Sequence, residues 1–153
     1  MRYWLMKSEP NVFGINHLEK VGTEPWDGVR NYQARNFMRD DMRVGDKVLF
    51  YHSNSKPSGV AGLAKVVRTG YPDHTSWDPE SKYHDPKSTP ETPRWFMVDL
   101  GYVSTFKQVV SLDEMRQAED LADMVLLNRS RLSVQPVDKA HYDLIVAMGK
   151  NKR

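Results

Sequence analysis

The sequence predicts an α+β fold, a small mixed barrel of short strands with helices packed around it. Three observations lead there. Apolar segments of strand length cluster in mid-chain, helical patterns lie between and after them, and no linker or internal repeat separates two cores. The 153 residues therefore read as a single domain over 1–153.

Residues 2–7 form the first strand, which Ser8-Glu9-Pro10 stops. Proline lacks an amide donor and restricts the residue before it. A short helix follows from Ile15 to Lys20, and residues 21–30 are irregular, with Gly22, Pro25 and Gly28. Asn31 caps a helix from Tyr32 to about Met42. Phe37, Met38 and Met42 supply an apolar face, while Arg35, Arg39 and Arg43 share another. After a turn at Val44-Gly45-Asp46, Lys47 to His52 is an apolar strand buried on both faces, and Gly59 to Thr69 is the next strand.

Residues 70–93 hold five prolines and almost no aliphatic side chains, so no strand or helix is expected there. A loop this long is either functional or disordered, and Trp77 and Tyr83 argue against disorder. Strand resumes from Arg94 to Phe106. Ser111-Leu-Asp-Glu114 is a capping box that opens a helix to about Glu119, with a further helical turn or two from Asp120 to Leu127. Arg131 to Gln135 is extended and stops at Pro136. Asp138 caps a final helix with His141, Leu144, Ile145 and Met148 on one face and Gly149 at its end.

Charge and composition exclude several functions. Lys and Arg number 22 against 20 Asp and Glu, a net +2, so bulk charge cannot drive nucleic-acid binding and any such binding needs local placement of charge. With 0 Cys there is no disulfide scaffold, thiolate zinc site, Fe–S cluster or thiol nucleophile. No apolar run approaches the ~20 residues of a membrane span. The start turns polar at once, unlike a signal peptide, so a cytoplasmic address without a membrane partner is expected.

Four polar motifs interrupt the pattern: Trp4-Leu-Met-Lys7-Ser8-Glu9-Pro10, Trp26 through Asn36, Phe50-Tyr51-His52-Ser53-Asn54, and Arg131-Leu132-Ser133-Val134-Gln135-Pro136. Each sets donors and acceptors at a strand end or helix start, where pockets form. Asn, Gln, Ser and backbone amides suit the hydrogen-bonding edge of a base, aromatic rings its face, and Arg or Lys its phosphates. In the second motif, the amides of Tyr32, Gln33 and Ala34 and the charges of Arg30 and Arg35 favour an anion. The plainer alternative is that Asn31 only caps and the arginines are a solvated face. Trp4 and Trp26, taken singly, are of a type more often found as core residues with a satisfied indole than as pocket walls. A histidine at the end of a buried strand, as His52 is, is more often a hydrogen-bonded core residue than a base, and Ser53 faces away from it on a strand. His74, Asp78, His84 and Asp85 lack a recognised ligand spacing, so neither a metal nor another cofactor is expected.

These motifs together resemble the EVE domain family of the PUA-like superfamily. Tyr3-Trp-Leu-Met-Lys-Ser-Glu-Pro10, Gly28-Val-Arg-Asn-Tyr-Gln-Ala-Arg-Asn36, Val48 to Asn54, Tyr71-Pro-Asp73, Pro93-Arg-Trp95 and Arg131 to Pro136 carry the likeness. It covers nearly the whole chain and is similar to bacterial single-domain members. The resemblance implies a PUA-like pseudo-barrel and a pocket for a flipped-out modified base, with modified cytosine in DNA favoured and RNA the alternative. It assigns ligand binding to Trp4, Lys7, Ser8, Trp26, Val29, Arg30, Asn31, Tyr32, Gln33, Arg35, His52, Ser53, Asn54, Arg131, Leu132 and Ser133. Trp4 and Trp26 would wall the pocket, Asn31, Ser53 and Asn54 would bond base edges, and Arg30, Arg35 and Arg131 would hold phosphates. The expectation is a monomeric, non-enzymatic reader of modified nucleic acid, with a small anion as another occupant of the pocket. An enzyme using His52, Glu9 and Lys7 on a base or nucleotide is the other reading.

Overall fold

The computed structural model describes residues 1–129 and 131–150. The strands are β1 (Tyr3–Ser8), β2 (Thr23–Pro25), β3 (Lys47–His52), β4 (Gly59–Pro72), β5 (Phe96–Ser111) and β6 (Val134–Val137). The helices are α1 (Pro10–Phe13), α2 (Ile15–Val21), α3 (Tyr32–Asn36), α4 (Leu112–Gln117), α5 (Val125–Asn128) and α6 (Lys139–Lys150). A π turn over Phe37–Asp41 extends α3, and short 3-10 turns cover His74–Trp77 and Glu119–Leu121.

The strands form one mixed sheet in the order β2-β5-β4-β3-β1-β6. Among the described residues only the β1–β3 pair is parallel. The expected α+β class holds, but the ladder stays open between β2 and β6 and does not close into a barrel. Nor are all strands short: β4 and β5 run 14 and 16 residues and pair through several register shifts, which bend and twist long strands. The two edges are the short β2 and β6. Pro136 is therefore not the end of β6 but part of it, since an edge strand tolerates a missing donor.

Alternation along β1 and β3 sends side chains to two apolar clusters. Trp4, Met6, Val48 and Phe50 join Trp26, Met38 and Leu132 on one face. Leu5, Leu49 and Tyr51 join Met115, Tyr142 and Ile145 on the other. This is why Lys47 to His52 reads as continuously apolar. Local signals were reliable. The Asn31 side chain accepts the Ala34 amide at 3.0 Å, and Ser111 and Glu114 make both bonds of their capping box. Gly149 lies in the last described turn of α6, and a Cβ there would fall 2.6 Å from the Phe106 ring, so close packing on β5 also calls for glycine.

Candidate functional site

A cleft of about 530 Å³ opens on the first of these faces. The end of β1 gives it Lys7 and Ser8, followed by Glu9, and α1 gives Val12 and Phe13. Glu24 and Pro25 of β2 lead into Trp26, Asp27, Gly28, Val29 and Arg30. Lys82 and Tyr83 from the long loop, with Ser133, complete the lining.

Trp26 lies between core and cleft. It is 8% exposed and meets Phe50 edge-on at 5.5 Å and Phe13 at 6.4 Å. Its amide donates to the Val98 carbonyl at 2.7 Å, which ties it to the sheet. The following turn hangs from Asp73, a fully buried carboxylate. Asp73 accepts the Gly28 amide at 2.8 Å, the Arg30 guanidinium at 3.1 Å, and the Thr75 amide and hydroxyl at 2.9 and 2.6 Å. Burial opposes its ionised form, but these four donors outweigh burial and hold its carboxyl below the ordinary 3.8.

Gly28 has φ +77°, and a Cβ there would sit 2.6 Å from the Tyr83 ring. Glycine thus serves both a left-handed backbone and a close approach. Arg30 donates twice to the Tyr83 carbonyl, at 2.7 and 3.0 Å, and lies over the Tyr83 and Trp95 rings. Trp95 in turn donates to Asp85 at 2.7 Å. Buried contacts therefore order this segment of the proline-rich loop and present Lys82 and Tyr83 to the cleft.

The lining carries three cationic side chains, Lys7, Arg30 and Lys82, and three acidic ones, Glu9, Glu24 and Asp27. Burial lowers the Lys7 ammonium's pKa. Burial, then the charge of Asp73, raises that of Asp27; burial, then Asp27 and Asp99, raises that of Glu24. The cleft offers an aromatic face and both signs of hydrogen-bonding partner, without a net positive field.

Of the residues expected at the site, Lys7, Ser8, Trp26, Val29, Arg30 and Ser133 meet in this cleft. Trp4 does not: it is fully buried and donates to Asp46 at 3.0 Å, so it is a core residue with a satisfied indole and not a pocket wall. Tyr32 stacks on Trp95 at 4.9 Å, and Arg35 covers Tyr32 and donates to the Arg94 carbonyl. Asn54 donates to Glu9 at 2.8 Å on the rim, and the Ser53 amide to the Ser8 carbonyl. His52 Nε2 accepts the Ile15 amide at 3.1 Å. Asn31, Arg131 and the buried Leu132 line a separate concavity, and Gln33 accepts from Arg129 beside it. The sequence reading missed Glu24, Asp27, Asp73, Lys82 and Tyr83. Asp27 sat inside the Trp26 motif, Asp73 inside the Tyr71-Pro-Asp73 motif, and Tyr83 among the aromatics that argue for an ordered loop, but none was assigned to the site. Among the described residues no group of three or more His, Cys, Asp or Glu could hold a metal, and no helix is long and apolar enough to cross a membrane.

A family model described as EVE domain matches residues 2–148. Human thymocyte nuclear protein 1 is 40% identical over 95% of this chain and 73% of its own length. Among solved structures, a hypothetical protein from Leishmania major is 53% identical with a TM-score of 0.95, covering 98% of this chain and 95% of that one. A protein from Pseudomonas syringae is 48% identical at 0.92, covering 96% and 99%. The human THYN1 protein in complex with 5-methylcytosine-containing DNA is 39% identical at 0.93, covering 100% of both chains.

Proposed function

The chain belongs to the EVE domain family, and on that premise we propose that it is a non-enzymatic module that reads a modified base in DNA, with modified cytosine favoured. The observation that carries this reading is the cleft, where the Trp26 ring meets acceptors and donors in a space of about 530 Å³. The likeness to the human protein solved with 5-methylcytosine-containing DNA supports it.

Flipping a base costs a few kcal/mol, and stacking on one ring returns about 1–3 kcal/mol. Hydrogen bonds must supply the rest and the discrimination. Asp27 and Glu24 are carboxylates suited to accept from the exocyclic amine of cytosine, which thymine and uracil lack. Ser8 and Ser133 add hydroxyls, and Lys7 adds a donor for the carbonyl edge. Ser8 already donates to the Phe13 carbonyl at 2.6 Å, which leaves its oxygen as an acceptor.

A panel of DNA and RNA oligonucleotides differing in one base modification tests the reading. Preferential retention of a modified cytosine in DNA is expected. Trp26→Phe should keep this preference and Trp26→Ala should abolish it, with circular dichroism confirming that both stay folded. Equal binding of modified and plain strands by the wild type would sink base reading, and a preference for RNA would move the ligand class.

A further inference from the structure

The cleft shares a wall with a second concavity of about 300 Å³. Val29 and Arg30 line the cleft while the next residue, Asn31, lines the concavity; Ser133 lines the cleft while Arg131 and Leu132 line the concavity. Asn128 and Arg129 complete it. Its chemistry differs from that of the cleft: among the described residues its lining includes Arg129 and Arg131 and no Asp or Glu.

Both arginines lack an acidic partner. Arg2, Arg30 and Arg39 pair with Asp41, Asp73 and Asp40, but among the described residues no ion pair includes Arg129 or Arg131. Arg129 instead donates to the neutral Gln33 side-chain oxygen at 2.8 Å, which orients the guanidinium without cancelling its charge. The carbonyls of Arg129 and Leu132 are held from the core. The fully buried Gln135 donates from Nε2 to the Leu132 carbonyl at 2.6 Å and the Arg129 carbonyl at 3.4 Å. The Asn128 amide is turned onto the Ala122 and Met124 carbonyls, so it braces the end of α5.

We propose that this concavity holds a backbone phosphodiester of the DNA strand whose base enters the cleft. The proposal rests on the base-reading function and deepens it. A flipped nucleotide stays attached to its strand, so an anion must follow close to the base. A basic hollow across one wall from the base site meets that need. Arg131 and Arg129 are its phosphate ligands; Gln33 orients the Arg129 guanidinium, and Gln135 holds the Arg129 and Leu132 carbonyls. Division of labour explains how a chain of net charge +2 binds nucleic acid: the balanced cleft selects the base and the unbalanced hollow anchors the strand.

Salt-dependent binding of the full chain to matched modified and plain oligonucleotides tests this. Arg129→Gln and Arg131→Gln should each weaken both ligands by the same factor, leave the modified-to-plain ratio unchanged, and flatten the slope of log K against log salt by about 0.7–0.9. Arg131→Lys should retain the slope. The dissociation constant of the free modified nucleoside, which carries no phosphate, should not change. An unchanged slope in both Gln variants, or a collapsed modified-to-plain ratio, overturns the phosphate site. A wild type with no ratio but with the expected slope changes instead overturns base reading and leaves the phosphate site standing.

Discussion

The Asp73 carboxylate accepts the Gly28 amide at 2.8 Å, and this bond joins the turn after Trp26 to the start of the proline-rich loop. The two segments that face each other across the cleft are thus set by one buried acceptor. Several consequences can be measured.

Gly28→Ala adds strain of two kinds, a left-handed backbone at φ +77° and a Cβ 2.6 Å from the Tyr83 ring. Strained backbone of this kind costs about 1–3 kcal/mol. Chemical denaturation should show at least that loss. Adding Tyr83→Ala should return the steric part and leave the backbone part, so a double-mutant cycle should give a favourable coupling. Additive single and double variants would mean that Tyr83 does not confine Gly28.

Asp73 should make the fold sensitive to acid. Its folded carboxyl titrates below 3.8, so its stabilisation is fully present above the unfolded value and fades as pH falls through the folded one. Asp73→Asn should destabilise the protein by about 3 kcal/mol or less, below the upper range for a broken buried pair because Arg30 is partly exposed. The variant should also show a shallower loss of stability below about pH 4 than the wild type by calorimetry, since Asp46 and Asp85 still contribute to the slope.

Asp27 titrates in the opposite direction, pushed above 3.8 by burial and then by Asp73. If its carboxylate accepts the cytosine amine, affinity should fall as pH drops through that raised value. Asp27→Asn should remove this pH dependence and narrow the preference for modified cytosine over a thymine-like base. Fluorescence anisotropy at descending pH checks both. An identical pH profile for wild type and variant would exclude Asp27 as the acceptor.

His52 has its Nε2 lone pair occupied by the Ile15 amide, and burial, then His17, holds its pKa below 6.5. Neutral His52 therefore stabilises the fold above the unfolded value, and that contribution is lost as pH falls through the lowered folded value. His52→Ala should lower stability at neutral pH and reduce its decline on acidification, while the modified-to-plain binding ratio stays the same. A collapse of that ratio would move His52 into recognition.

Features encoded within a few residues were legible in the sequence. The Asn31 cap, the Ser111–Glu114 capping box and the apolar β3 each depend on neighbours in the chain. Contacts across the chain were not. Trp4 and Trp26 look alike in composition, yet Trp4 is claimed by Asp46 in the core and Trp26 borders the cleft. Arg30 read as a free phosphate ligand because its partners, Asp73 and the Tyr83 carbonyl, lie more than forty residues away. The open sheet was illegible for a similar reason, since the bulges of β4 and β5 come from pairing register and leave no mark in hydrophobic alternation.

The parallel pairing of β1 with β3 bears on how the protein acquires its cleft. No hairpin supplies a neighbour for β1: Tyr3 pairs with Lys47 on one side and with Val137 on the other. The antiparallel run from β3 through β5 can assemble from sequential strands, whereas β1 must wait for partners remote in sequence. Lys7 and Ser8 ride on that strand, and Ser133 immediately precedes its other partner. The cleft is accordingly a late product of folding, complete only when β1 has met β3 and β6, so a partly folded polypeptide would display the central meander before it displayed the cleft.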